Sequence, residues 1–225
     1  MKKNILIIGP SSEIAQEYIN VINEKFNIYG ISRKKIPKLI KINNILLNQA
    51  KDLDQKKLLK IIGKVKFFKI IFFSSDQINY PTKIIKIKNN RLYDAFAVNS
   101  LFPIKLTYFL IDNNLINKKT KFIYFSSRSG SITERGKLKH HLPKGNHVYR
   151  ASKALLNSFV RNISFEFKKL NYIFVSYHPG WVATKSAGGK MSIKKSVSLF
   201  IKFCNSLKKS DTGNFFNFNK KKIPW

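Results

Sequence analysis

The sequence has almost no cysteine, little acid and no long apolar run. Cys204 is the single cysteine in 225 residues, so an intrachain disulfide framework is excluded and a reducing compartment is expected. Asp and Glu number 11 against 43 Lys and Arg, a formal net charge of +32. Such a balance points first to polyanions, nucleic acid or an acidic membrane surface. Arginine, which supplies bidentate phosphate and base contacts, is confined to Arg33, Arg91, Arg128, Arg135, Arg150 and Arg161. Lysine is instead spread over nearly every segment. Together with the abundant Ile, Asn and Phe it belongs to A- and T-rich codons, so the charge reads as a compositional background. No specific nucleic-acid binding is expected. The apolar run 5–8 after Lys2 and Lys3 stops at Gly9-Pro10, and lysines interrupt every later run. Neither a secretory core nor a membrane span is expected, which leaves a soluble, cytoplasmic protein without membrane association.

What is present suffices for one buried core: 44% of residues are hydrophobic and 13% aromatic. No repeat or linker divides the chain, so a single domain over residues 1–225 is expected. Strand-like runs alternate with helical patterns. Strands are predicted at 3–8, 27–31, 45–47, 67–73, 121–125, 172–177 and 214–218. Helices are predicted at 11–25, 52–62, 91–116 (interrupted by Pro103), 149–170 and 192–207. This alternation implies an α/β protein with a mainly parallel sheet covered on both faces, and such sheets bind ligands at the carboxyl ends of their strands.

At the first such end stands Gly9-Pro10-Ser11-Ser12-Glu13-Ile14-Ala15. A glycine and small residues between strand and helix let backbone N–H groups approach a diphosphate, although an ordinary turn with Ser11 or Ser12 as N-cap reads the same way. A sharper signal is Tyr149-Arg-Ala-Ser-Lys153, which sets a phenol and an ammonium one helical turn apart. A neighbouring cation stabilises phenolate, as a tyrosine acid/base near neutral pH requires. Upstream, Ser126-Ser127-Arg128-Ser129-Gly130 offers a hydroxyl for a substrate carbonyl, and Asn99 lies in the preceding helix.

With these motifs in order, the chain resembles the short-chain dehydrogenase/reductase family. It is most similar there to the C-factor-like branch, through Ser126-Ser-Arg-Ser-Gly-Ser131, Tyr149-Arg-Ala-Ser-Lys-Ala-Leu-Leu-Asn157, His178-Pro-Gly-Trp-Val-Ala-Thr184 and Ile223-Pro-Trp225. The resemblance implies a Rossmann-type three-layer α/β/α fold with a doubly wound, seven-stranded sheet. It implies Tyr149 as acid/base, Lys153 lowering the Tyr149 pKa and holding the cofactor ribose, Ser127 orienting the substrate carbonyl, and Asn99 holding a water for proton relay. It implies Gly9, Ser11, Ser12 and Ile14 at the cofactor diphosphate, and Asn48 and Ser74 on the adenosine side. Pro179, Gly180, Val182 and Thr184 would meet the nicotinamide.

Glu13 and Ala15 replace two glycines of the family loop. The cations of Ser32-Arg33-Lys34-Lys35 suit the 2′-phosphate of NADP(H) over NAD(H). The expected reaction is hydride transfer between nicotinamide and a small carbonyl or alcohol. The alternative is a binding or signalling protein that keeps the fold with a weakened site. Arg128, Arg135, Lys137, Lys139, His140, His141, Lys144 and His147 form a basic stretch beside the site that would attract an anionic substrate, with no metal expected. The brief segment 185–191 predicts a lightly covered site. Surplus apolar positions Ala154, Leu155, Phe159, Ile163 and Phe167 and the family's habit imply a homodimer or homotetramer.

Overall fold

The computed structural model describes residues 2–36, 42–73, 75, 85, 87–137 and 146–225. Its strands are β1 (Lys3–Ile8), β2 (Phe26–Ser32), β3 (Asn43–Leu46), β4 (Phe67–Phe72), β5 (Ile116–Phe125), β6 (Ile173–His178) and β7 (Asn214–Asn217). The helices are α1 (Glu13–Ile22), α2 (Gln55–Ile62), α3 (Asn89–Phe96), α4 (Phe102–Asp112), α5 (His147–Glu166) and α6 (Ile193–Ser206). The strands form one seven-stranded sheet in the order β3-β2-β1-β4-β5-β6-β7, and every neighbouring pair is parallel. This is the parallel α/β arrangement expected from the alternating pattern and the doubly wound, seven-stranded sheet that the resemblance implies.

The alternation of side chains along each strand builds two cores. Ile5 and Ile7 of β1 face α1 and α6, against Tyr18, Ile19, Val197 and Phe200. Leu6 and Ile8 face the other layer, where Leu58 of α2, Leu106 of α4 and Leu156 of α5 pack. Because both faces of β1 and β4 are buried, their sequences read as unbroken apolar runs. Order reverses at β1: the chain winds outward through β2 and β3, then returns to place β4 on the other side. In open α/β sheets such a switch point, here at the carboxyl ends of β1 and β4, is where a ligand crevice forms.

Two elements depart from the sequence reading. The segment 91–116 is not one helix. A π-helical turn, Ala97–Leu101, joins α3 to α4, Pro103 sits in the first turn of α4 where its missing N–H costs nothing, and the helix ends at Asp112. Ile116 already belongs to β5, whose polar start Asn117-Lys118-Lys119 bulges from β4. Thr120 Oγ1 closes that bulge by donating to Phe67 O at 2.8 Å and accepting from Asn117 N–H at 2.9 Å. Among the described residues no helix is long and apolar enough to cross a membrane. Ile163 lies in the core, and Phe159 and Phe167 pack against it, so the protein's own fold absorbs most of the surplus apolar face of α5.

Candidate active site

The carboxyl edge of the sheet gathers the chemistry. Gly9 ends β1 with φ +78, a left-handed turn that favours glycine, and its N–H donates to Ile31 O at 3.0 Å. Ser12 caps α1, its hydroxyl accepting from Ala15 N–H at 3.2 Å. Ser11 is exposed, while Ser12, Glu13 and Ile14 are half-buried beside it. Arg33, with Lys34 and Lys35, is exposed immediately past β2, the strand adjacent to β1. Asn48 is exposed after β3, its carboxamide oxygen turned into a local turn with Ala50 N–H at 3.0 Å. Ser74 lies outside the described residues, as do Lys139, His140, His141 and Lys144 of the basic stretch.

β5 and α5 meet at the centre of the edge. Lys153 is 1% exposed and Tyr149 7%. Lys153 Nζ donates to Phe125 O at 2.9 Å and stands 5.8 Å from the centroid of the Tyr149 ring. Burial alone pulls the Lys153 pKa down to about 7. The two adjacent serines after β5 part company. Ser126 is buried and donates to Asn157 Oδ1 on α5 at 2.7 Å, a structural bond. Ser127 is half-buried and opens the short 3-10 turn Arg128–Gly130, its hydroxyl accepting from Ser129 N–H at 3.2 Å. Gly130 brings that turn onto α5: a Cβ there would lie 2.8 Å from the carbonyl carbon and Cβ of Lys153. The chain end stitches the next residues, with Ser131 Oγ donating to Pro224 O at 2.6 Å and Trp225 stacked on Phe215.

Asn99 is fully buried on the π-helical turn, and its amide donates to Ser152 Oγ at 3.0 Å. Ser152 is a residue that motif reading passed over. Its hydroxyl donates to Tyr149 O at 2.8 Å and its carbonyl accepts from Ser100 Oγ at 2.6 Å, so it locks the turn to the start of α5. The available signal was a small polar residue on the apolar face of a helix, next to Lys153. Past β6, Pro179 O accepts from Ser196 Oγ at 3.2 Å, Val182 is buried, and the segment folds back so that Gly189 N–H meets Val182 O at 2.9 Å. Gly180 packs against Met191 and Phe218, and Thr184 is half-buried at the bend. Residues 185–190 form a tight loop, and Trp181 beside them is 58% exposed.

One other charge is already committed. Arg128 pairs with Glu134, its Nη2 2.8 Å from Oε1, which removes one cation from the basic stretch. Among the described residues no cluster of three or more His, Cys, Asp or Glu is placed to hold a metal ion.

No protein-family model matches the chain. It is 27% identical over 133 residues to the C-signal protein of Myxococcus xanthus, covering 58% of this chain and 76% of that one. It is 27% identical over 206 residues to an uncharacterized oxidoreductase of Schizosaccharomyces pombe, covering 83% and 77%. Its fold superposes with a TM-score of 0.84 on a structure assigned as a short-chain dehydrogenase/reductase from Burkholderia multivorans with bound NADP, at 20% identity and full coverage of both chains. The resemblance to the short-chain dehydrogenases/reductases therefore holds, in sequence through C-signal and an oxidoreductase and in fold through a short-chain dehydrogenase/reductase.

Proposed function

We propose that the chain is an NADP(H)-dependent oxidoreductase of the short-chain dehydrogenase/reductase type, acting on a small carbonyl or alcohol with Tyr149 as acid/base. The observation that carries the reading is the junction of β5 with α5. There a buried Lys153 ammonium lies 5.8 Å from the Tyr149 ring, and Gly130 seats the turn opened by Ser127 against the same helix. The uncharacterized oxidoreductase relative and the NADP-bound neighbour support the same class.

The crevice fits a dinucleotide. Its walls are the switch point of the sheet, the left-handed Gly9 and the N-terminus of α1, whose amides favour an anion. Gly9, Ser11, Ser12 and Ile14 would hold the diphosphate, Arg33 the 2′-phosphate, and Asn48 and Ser74 the adenosine side. Lys153 and Tyr149 would hold the nicotinamide ribose, and Pro179, Gly180, Val182 and Thr184 the nicotinamide. When bound, the cofactor exchanges a hydride with the substrate carbon.

The residues of the chain then manage the substrate oxygen. Ser127 donates a hydrogen bond to it, and the Tyr149 hydroxyl gives it a proton in reduction and takes one back in oxidation. The Lys153 cation stabilises the phenolate left behind, and an anion bound in the crevice favours that cation over the neutral amine. Asn99, held by Ser152, would seat the water that links Lys153 to solvent. Arg135 and Lys137 keep the mouth cationic and favour an anionic substrate. Assembly as a homodimer or homotetramer in the cytoplasm completes the reading, with the exposed Leu101 and Phe165 available to a partner.

A second reading, a binding protein that has lost turnover, draws on Glu13 standing where the family places a glycine. Fluorescence titration with NADPH and NADH tests the first. Saturable binding with NADPH preferred is expected, and binding of neither dinucleotide would overturn it.

A further inference from the structure

Glu13 is the residue of the crevice that the proposed chemistry does not use. It opens α1, where backbone N–H groups favour negative charge. Its carboxylate does not point at those amides. Glu13 Oε2 accepts from the backbone N–H of Lys185 at 2.8 Å, across 172 positions of sequence. Lys185 begins the tight loop after β6, directly beyond Thr184, and β6 is separated from β1 in the sheet by β4 and β5. The bond therefore spans the carboxyl edge from the β1–α1 turn to the β6–α6 segment.

Among the described residues, the loop's other hydrogen bonds run to itself and to its own stem. Gly188 N–H donates to Thr184 O at 2.8 Å, Met191 N–H to Trp181 O at 3.0 Å and Trp181 Nε1 to Ala187 O at 2.9 Å. Val182 and Thr184, assigned above to the nicotinamide, lie between this loop and β6 in the chain.

We infer that Glu13 is a positioning residue, a strap that fastens the Thr184-Lys185 bend to the head of α1 over the dinucleotide crevice and so governs how fast the cofactor leaves. The inference rests on the proposed dinucleotide site. It also explains how an acid is tolerated at that position: the carboxylate is engaged by Lys185 N–H, and its reach matters more than its charge. A carboxamide oxygen of the same reach can accept the Lys185 N–H in place of the carboxylate.

Two conservative variants separate reach from charge. Glu13→Asp keeps the charge and is one methylene too short, whereas Glu13→Gln keeps the length and an acceptor oxygen without the charge. The strap predicts that Glu13→Asp releases NADPH about tenfold faster in stopped-flow displacement, while Glu13→Gln stays within about twofold of the parent. If charge alone matters, Glu13→Gln changes the rate and Glu13→Asp does not, and the inference falls. Amide exchange at Lys185 in the cofactor-free chain gives the second readout: faster in Glu13→Asp, near parental in Glu13→Gln. Equal exchange in all three overturns the strap. Absence of NADPH binding by the parent overturns the cofactor reading, and the exchange measurement still decides the strap.

Discussion

Replacing Lys153 with Met tests the electrostatics of the site without enlarging or emptying it. The side chain is 1% exposed, and burial alone lowers its pKa from the ordinary 10.5 to about 7. Between those values the unfolded chain binds the proton more readily than the folded one, so stability rises with pH. The contribution is fully present above about 10.5 and is lost as the pH falls through about 7. At about 1.4 kcal/mol per pH unit, the span from pH 7 to pH 10 amounts to roughly 4 kcal/mol as a ceiling, which relaxation and water entry reduce. Met fills similar space, carries no charge and forfeits only the bond to Phe125 O, about 1 kcal/mol. At pH 7 the variant should therefore be as stable as the parent or more so, and by pH 10 the parent should overtake it. Urea unfolding of both proteins at pH 7, 8.5 and 10 measures this, since groups common to the two cancel in the difference. A difference that stays constant over that range would refute the reasoning, because Lys153 would then titrate as a solvated amine.

Gly130→Ala should cost about 1–3 kcal/mol in urea unfolding and lower turnover as well, because a Cβ lying 2.8 Å from Lys153 backbone and side-chain atoms forces the Ser127 turn off α5. Unchanged stability would show that the turn yields freely. Arg33→Ala should weaken NADPH about tenfold in fluorescence titration and leave NADH nearly unaffected, the loss of one cation facing a phosphate. Equal loss for both dinucleotides would remove Arg33 from cofactor choice.

Much of the architecture was legible because it is local. The apolar runs of β1 and β4 are buried on both faces, so they read directly as central strands, and Tyr149 with Lys153 declares one face of a helix. Polar segments hid the rest. Asn117-Lys118-Lys119 has no apolar pattern and becomes strand only because Thr120 closes a bulge against β4, while the π-helical turn at Asn99 has no composition of its own. Pro103 suggested a break that a first-turn proline does not make. Ser126 and Ser127 cannot be told apart by composition, and only the fold shows that Ser126 donates to Asn157. Ser152 and the contact of Glu13 with Lys185 join segments far apart in sequence, and single-chain periodicity carries no trace of such pairs.

The central claim, that Tyr149 transfers the proton at a carbonyl substrate, is tested most directly by Tyr149→Phe. With NADPH and a panel of small carbonyls, the account predicts that the variant folds and binds NADPH as the parent does while turnover falls by about 10²–10⁴-fold. Parental turnover in that variant would contradict it.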